Sequence, residues 1–255
     1  MVSVPHYGVS PLPDTRISDY ADPGYHSFPR GYTDRFAAEI YGELDRLGAT
    51  MLATPYSRLF VDVNRRRDDF ELGSTGVESR KGVVRTHNIY DQPIFAQPLT
   101  VAEVNERLRC FYDPYHAAMR GLIDELCVAH TNITLIDAHT GSERGLKDHE
   151  VVVSTAHGRS ASDQIADRIQ AVFAEGGFRT DRDVKGYSGG YIVRHYGREH
   201  DERVDAVQIE INTALLLMVS RRELFEQIDA GIAPTMNESV GRRLKHCMET
   251  IVCDY

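Results

Sequence analysis

Apolar residues recur at helical spacing in some stretches of the chain and alternate with polar residues in others, so the sequence predicts both helices and strands. Between Thr33 and Leu47 the apolar positions share one helix face, and Gly48 follows where a helix would stop. This pattern predicts a helix with Asp34 in its first turn.

The rest of the chain continues the alternation of strands and helices. The predicted strands cover 1–4, 50–53, 59–63, 133–139, 151–153, 191–194 and 206–211. A further helix is predicted after the capping box of Thr100 and Glu103, and Pro114 is expected to divide it. Another helix is predicted over 160–175. Helices are also predicted over much of 214–255, with a break at Pro234 and an N-cap at Asn237. The alternation predicts a single-domain α/β fold over 1–255, with a mixed central sheet flanked by helices. A site is expected along the carboxyl edge of that sheet.

Residues 71–98 mix glycine, proline, serine and charge without periodicity. Long segments of this kind are often functional loops. We therefore predict an excursion over the surface here, acting as a lid on the site.

Composition narrows the class of protein without identifying it. The chain has 255 residues, 42% hydrophobic and 26% charged, which is typical of a globular protein. A formal net charge of -9 argues against a general nucleic-acid binder. Four scattered cysteines form no disulfide framework, and no signal peptide or membrane span is evident, so a cytoplasmic protein is expected. The pattern leaves the oligomeric state open.

Two histidines follow or end predicted strands. His6 stands between Pro5 and a nearby glycine, and the strand ending in Asp137-Ala138-His139 places its Asp and His on one side. An isolated histidine is more often structural or exposed than a ligand. A strand-end imidazole with a carboxylate behind it nevertheless suits zinc, and Asp34 would complete a set of three. The other histidines considered are expected to be solvated: His116, His149, His157 and His200.

Polar residues share one face of the strand over 206–211 and its continuation. Gln208, Glu210 and Asn212 alternate with Ile209 and Ile211. The alternative explanations are an edge strand exposed to solvent and a strand that borders a wet cavity. In the second case Glu210 is the natural general base.

Arginines and glycines supply candidate substrate contacts. Arg58 and Asn64-Arg65 flank the predicted strand over 59–63, and guanidinium groups bind carboxylates in bidentate geometry. A solvated basic loop balanced by nearby aspartates is the plainer alternative. Gly190 either belongs to a simple turn or lets the backbone approach a ligand.

Together these segments resemble the N-formylglutamate amidohydrolase family. The matching motifs occur in order along nearly the whole chain: Pro5-His6-Tyr7-Gly8, Thr33-Asp34, Ser57-Arg58 to Asn64-Arg65, Tyr112 to His116, Ile136 to Thr140, Gly189-Gly190-Tyr191 and Gln208 to Asn212. The segment from Arg58 to Arg65 is the most specific of them. The resemblance implies a fold related to the zinc carboxypeptidases and a metal-dependent amidohydrolase acting on a linear amide.

The resemblance also implies roles for single residues. His6, Asp34 and His139 would bind zinc or another divalent metal, and Glu210 would act as general base toward zinc-activated water. The substrate would be a small anionic N-acyl amino acid such as N-formylglutamate. Its contacts would be Arg58, Asn64, Arg65, Gly190 and Arg194.

Three positions depart from the family pattern. Tyr7 and Thr140 stand where serine is usual, and Thr213 stands where arginine is frequent. Because of these departures, the resemblance does not determine which acyl group or which amino-acid side chain the substrate carries. A deacylase or carboxypeptidase-like amidase with another substrate, and a non-catalytic binder of an acidic metabolite, therefore remain as alternatives.

Overall fold

The computed structural model describes residues 1–27, 32–230 and 232–254. Its strands are β1 (Val2–Val4), β2 (Met51–Ala53), β3 (Glu71–Leu72), β4 (Val77–Glu78), β5 (Ile133–Gly141), β6 (Val151–Ser154), β7 (Thr180–Arg182) and β8 (Val204–Asn212). Its α-helices are α1 (Gly24–Ser27), α2 (Ala37–Tyr41), α3 (Val101–Arg107), α4 (Asp113–Ala129), α5 (Glu143–Leu146), α6 (Asp163–Glu175), α7 (Tyr191–Tyr196), α8 (Arg221–Asp229) and α9 (Glu238–Cys253).

A mixed sheet forms the centre of the fold, in the strand order β2-β1-β5-β8-β6-β7. Strands β2, β1, β5 and β8 run parallel, and β6 runs antiparallel to β8. Strands β5 and β8 pair over nine positions, from Ile133 with Val204 to Gly141 with Asn212. This sheet confirms the predicted α/β class.

The apolar residues pack in two clusters on the two faces of the sheet. Successive residues of a strand point to opposite faces, and Leu135 and Ile136 of β5 accordingly belong to different clusters. Met119 of α4 packs in the first cluster, whereas Phe173 of α6 and Met248 of α9 pack in the second. Helices therefore flank the sheet on both faces.

Two predicted strands are wrong. Residues 59–63 form turns and irregular backbone, with Phe60 N donating to Ser57 O at 3.0 Å, and their side chains are buried. Residues 191–194 lie in the helix α7. A short apolar run signals burial equally well in a strand, a helix or a packed turn, so periodicity could not separate these cases.

The helix predicted over 33–47 is broken into pieces. Phe36 has a left-handed backbone with φ of 63°, after which α2 spans five residues and a 3-10 turn covers Leu44–Leu47. Asp34 therefore precedes the helix instead of lying in its first turn. The turn that precedes α2 brings the Asp34 carboxylate to the sheet.

Other boundaries agree with the sequence pattern. Thr100 and Glu103 form the capping box of α3, Pro114 stands at the start of α4 after a π-helical turn, and the Asn237 side chain caps α9. The predicted helical stretch over 214–255 also includes residues 231 and 255, which lie outside the described residues. The short strand β7 had no clear signal.

The segment 71–98 packs more closely than a surface excursion. It contains the β3–β4 hairpin, and Val83, Val84 and Ile94 are fully buried in the first apolar cluster. The prediction of a surface excursion is thus wrong for these positions, while Ile89 and Tyr90 are exposed. Its action as a lid stays a prediction. Within the described ranges, no helix has the length and apolar character needed to cross a membrane.

Candidate metal and substrate site

Three neighbouring strands bring the principal candidate side chains together. His6 follows β1, His139 lies near the end of β5, and Glu210 lies near the end of β8. His139 and Glu210 are register partners in the parallel β5–β8 pair. Because these strands run parallel, their carboxyl ends share one edge of the sheet, which is where the sequence predicted a site.

His6, Asp34 and His139 form a compact group of possible metal ligands. One donor atom from each lies within 4.8 Å of the others. Asp34 stands between the rings, with Oδ2 at 2.8 Å from His139 Nδ1 and Oδ1 at 3.6 Å from His6 Nδ1. The Asp34 backbone N–H donates to the His6 carbonyl at 3.1 Å, and the Thr140 N–H donates to Asp34 Oδ2 at 3.2 Å. The broken helix and the two strand ends therefore fix this carboxylate.

A buried carboxylate lies behind each histidine. Asp62 Oδ1 is 2.8 Å from His6 Nε2, and Asp137 Oδ2 is 3.1 Å from His139 Nε2. Each ring thus has one nitrogen beside Asp34 and its other nitrogen beside a second carboxylate, that of Asp62 or Asp137. That arrangement is common around metal-binding histidines, and two imidazoles with one carboxylate suit zinc. The donor set fits a divalent metal ion.

The charged groups strongly affect one another's protonation. Burial would raise the pKa of Asp34, but His6 and His139 outweigh burial and hold this pKa below its ordinary value. Burial would lower the pKa of His139, but Asp137 and Glu210 raise it well above its ordinary value. The structure therefore favours the ionised form of the Asp34 side chain.

Glu210 is buried beside this group. Burial raises the pKa of Glu210 to about 7, the effect being reduced by His139 and increased by Asp34. Gln208 Nε2 donates to Glu210 Oε1 at 2.8 Å. The strand β8 is central in the sheet, so the alternative of a solvent-exposed edge strand is wrong.

Asn64 lies in the site, and its side chain is committed to protein contacts. Its Nδ2 donates to Asp137 Oδ2 at 2.8 Å and lies 3.0 Å from His139 Nε2. Its Oδ1 accepts from the Ile192 N–H at 2.9 Å. These contacts connect the metal-ligand group to the first turn of α7.

Arg58 is likewise held inside the site. Its Nε and Nη2 donate to Asp62 Oδ2 at 3.0 and 2.7 Å, and its Nη1 is 2.9 Å from His6 Nδ1. Burial would lower the pKa of Arg58, but Asp62 and Asp34 raise it above its ordinary value. The guanidinium is therefore a permanent positive charge beside the candidate ligands.

A cavity of about 560 Å³ opens beside His6, His139 and Glu210. All five candidate substrate contacts line it: Arg58, Asn64, Arg65, Gly190 and Arg194. Arg194 donates to the backbone oxygens of Ser188 and Gly189 at 3.1 and 3.0 Å. In the part of the chain that the structure describes, the ion pairs of Arg65 are long, 4.0 Å to Asp62 and 3.9 Å to Asp69, which leaves its guanidinium available.

The sequence did not single out several residues that line the site. Arg66, Asp69 and Tyr187 border the large cavity, and Arg85 borders a second, smaller one. Arg66 and Asp69 belong to the charged run after Asn64, for which a solvated loop with balanced charges is the plainer prediction. Nothing in the sequence pattern marks Tyr187 or Arg85, because their positions depend on the paths of irregular segments.

The remaining histidines have different environments. His116 is buried, contrary to the expected solvated role, with Nε2 at 2.9 Å from Val63 O and Nδ1 at 2.8 Å from Tyr196 OH. His157 and His200 are exposed, as expected, and His149 is half-buried beside Asp181.

The chain is similar to proteins of one known family. A family model described as N-formylglutamate amidohydrolase matches residues 1–217. An N-formylglutamate deformylase of Pseudomonas putida is 30% identical over 224 residues, covering 83% of this chain and 79% of the relative. A deformylase of the same name from Pseudomonas aeruginosa is 29% identical over 232 residues, with the same coverage of 83% and 79%.

Solved structures show the same fold. The crystal structure of an N-formylglutamate amidohydrolase from Ralstonia eutropha JMP134 matches with a TM-score of 0.80 and 21% identity, covering 99% of this chain and 91% of that one. A protein from Agrobacterium tumefaciens matches with a TM-score of 0.69 and 17% identity, covering 100% of this chain and 87% of that one. On the match of the family model to most of its length, the chain belongs to the N-formylglutamate amidohydrolase family.

Proposed function

We propose that this protein is a metal-dependent amidohydrolase that cleaves the amide bond of N-formylglutamate or a related N-acyl acidic amino acid. The observation that carries the proposal is the position of Glu210 beside His6, Asp34 and His139, at the wall of a cavity lined with arginines. Family membership and the names of its relatives support the same substrate class.

His6, Asp34 and His139 would hold the metal ion, which we propose to be zinc. When bound, the metal supplies Lewis-acid chemistry, activating water and polarising the scissile carbonyl. Asp62 and Asp137 orient the two imidazoles from behind through contacts of 2.8 and 3.1 Å.

Glu210 moves the proton. With a pKa raised to about 7 by burial, its carboxylate is a stronger base than an exposed glutamate. It takes a proton from the attacking water and delivers that proton to the nitrogen of the leaving amine. Water adds to the carbonyl carbon, the C–N bond breaks, and N-formylglutamate yields formate and glutamate.

The arginines bind and orient the anionic substrate. Arg65, whose ion-pair distances to Asp62 and Asp69 are 4.0 and 3.9 Å, is positioned to bind a carboxylate in the large cavity. Arg194 and the Gly190 backbone border the same space. Arg58 lies beside the candidate ligands, where its charge would stabilise negative charge developing on the carbonyl oxygen.

A Glu210→Gln variant tests the proposal. We expect zinc content to remain near one ion per chain while release of formate from N-formylglutamate falls by about a thousandfold or more, since general-base catalysis typically contributes 10²–10⁴-fold. Glu175→Gln, at an exposed position in α6, is the matched control and should retain wild-type turnover. Full activity in Glu210→Gln, or zinc-loaded wild-type protein that binds N-formylglutamate without turnover, would contradict the proposal.

A further inference from the structure

A second cavity adjoins the candidate metal-ligand group. It has a volume of about 250 Å³ and is bordered by Asp34. It shares four lining residues with the large cavity: Arg58, His139, Tyr187 and Glu210. The two cavities therefore meet at the proposed base and one proposed metal ligand. An amide placed there for hydrolysis would extend one part into each cavity.

The volumes of the two cavities indicate which part of the substrate each cavity would hold. An acidic amino acid is the larger part of an N-formyl substrate, and the cavity of about 560 Å³ contains Arg65 for its carboxylate. The acyl group then faces the second cavity. A formyl group has only two heavy atoms, whereas a single water molecule occupies about 30 Å³ in the liquid. A space of about 250 Å³ is therefore much larger than a formyl group requires.

Arg85 makes the second cavity suitable for an anion. Its Nε is buried and has no hydrogen-bond partner within the described ranges, while its Nη1 donates to the backbone oxygen of Arg80 at 3.1 Å. Its guanidinium lies 5.2 Å from the centre of the Tyr32 ring. Among the residues that the structure describes, Arg85 forms no ion pair with a carboxylate, in contrast to Arg58 with Asp62.

A second buried polar atom that lacks a hydrogen bond belongs to a residue bordering the same cavity. Among the described residues, Thr33 Oγ1 is buried without a hydrogen-bond partner, and Thr33 borders this cavity. Burying a charged or polar group without a partner costs free energy, so both groups would be stabilised by a ligand that accepts hydrogen bonds. A carboxylate meets this requirement, and it pairs with a guanidinium in bidentate geometry.

We infer, resting on the proposed function, that the second cavity binds acyl groups longer than formyl that end in a carboxylate, and that Arg85 selects them. The substrate class is thus the monoamide formed between a dicarboxylic acid and an acidic amino acid. Its hydrolysis balances as before: water adds to the amide carbonyl, the C–N bond breaks, and the proton passes to the leaving amine. The products are a dicarboxylate and the free amino acid.

Two substrates of equal chain length test this inference. N-Succinylglutamate and N-butyrylglutamate both carry four-carbon acyl groups, and only the succinyl group ends in a carboxylate. We expect wild-type kcat/KM to be at least about tenfold higher for the succinyl compound, the size of one charge-assisted contact. In Arg85→Gln this preference should fall to about twofold or less, while Arg85→Lys should retain part of it. Arg80→Gln, an exposed arginine on the same segment, should keep the full preference.

The outcomes separate this inference from the proposed function. If the wild type hydrolyses N-formylglutamate but shows no preference for succinyl over butyryl, the inference is wrong and the proposed function stands. An equal loss for both substrates in folded Arg85→Gln would also overturn it, because it would indicate a structural role. If no amide is cleaved, the proposed function fails. Calorimetric titration of Glu210→Gln with the two compounds then decides the inference by the same tenfold criterion.

Discussion

The Nε2 atom of His6 lies 2.8 Å from Oδ1 of the buried Asp62 carboxylate. On the other side of the ring, Arg58 Nη1 lies 2.9 Å from Nδ1. Because a guanidinium can only donate hydrogen bonds, Nδ1 must accept and Nε2 carries the proton toward Asp62. In this neutral tautomer the unprotonated nitrogen, Nδ1, lies beside Asp34. An imidazole binds a metal ion through an unprotonated nitrogen.

Asp62→Asn should therefore weaken zinc binding. The variant keeps the shape of the side chain but removes the charge that orients His6, so we expect the dissociation constant for zinc to rise about 10–100-fold. Competition with a chromogenic chelator measures it. Asp68→Asn is the control, because Asp68 pairs with Arg66 at an exposed position. Unchanged zinc affinity in folded Asp62→Asn would show that Asp62 does not support the site.

Zinc should raise the thermal stability of the protein through the same group. A ligand that binds only the native state stabilises it by about 2.7 kcal/mol at a concentration 100 times its dissociation constant. We expect the unfolding temperature to rise with added zinc in the wild type and to change little in His6→Gln. His200→Gln, at an exposed position, should respond like the wild type. An equal zinc response in His6→Gln would argue against His6 as a ligand.

The sequence predicted the site most reliably where a strand carries it. Alternation places Gln208 and Glu210 on one face, and the ends of parallel strands meet at one edge, so His139 and Glu210 could be expected to lie together. The Asp62 contact with His6 could not be predicted, since the two residues are 56 positions apart and joined through turns mistaken for a strand. Arg85 could not be identified either, because it lies in the segment 71–98, where no periodicity indicates which way a side chain faces.

Gly190 and Asn64 are packed so closely that the glycine cannot be enlarged without strain. A Cβ added at Gly190 would lie 2.6 Å from both Nδ2 and Oδ1 of Asn64. Those atoms cannot easily move, because Nδ2 donates to Asp137 and Oδ1 accepts from Ile192 N. The backbone φ of Gly190 is -80°, so the strain comes from this contact and not from the backbone.

Gly190→Ala should lower the free energy of unfolding by about 1–3 kcal/mol, as overpacking of a buried site does. The control is Gly121→Ala in α4, where an added Cβ meets no atom of the described residues within 4 Å. Alanine is the better helix former by about 1 kcal/mol, so this change should increase stability. Urea unfolding of both variants measures the difference. A Gly190→Ala protein as stable as the wild type would refute the close contact.

His116 should make stability depend on pH. Burial lowers the pKa of His116 from 6.5 to about 4, partly offset by its hydrogen bond with the Val63 carbonyl. Because this pKa is lower in the folded protein, the unfolded chain binds more protons between these values. The stabilising effect of neutral His116 is therefore complete above pH 6.5 and is lost as pH falls toward 4.

The His116 contribution amounts to about 3 kcal/mol, from 1.36 kcal/mol for each pKa unit. Urea unfolding at pH 7 and pH 4.5 should show a smaller loss of stability in His116→Gln than in the wild type, because glutamine does not titrate. The exposed His157→Gln should behave like the wild type. If all three proteins lose the same stability over this range, the acid sensitivity comes from other groups and His116 is not neutralised by burial.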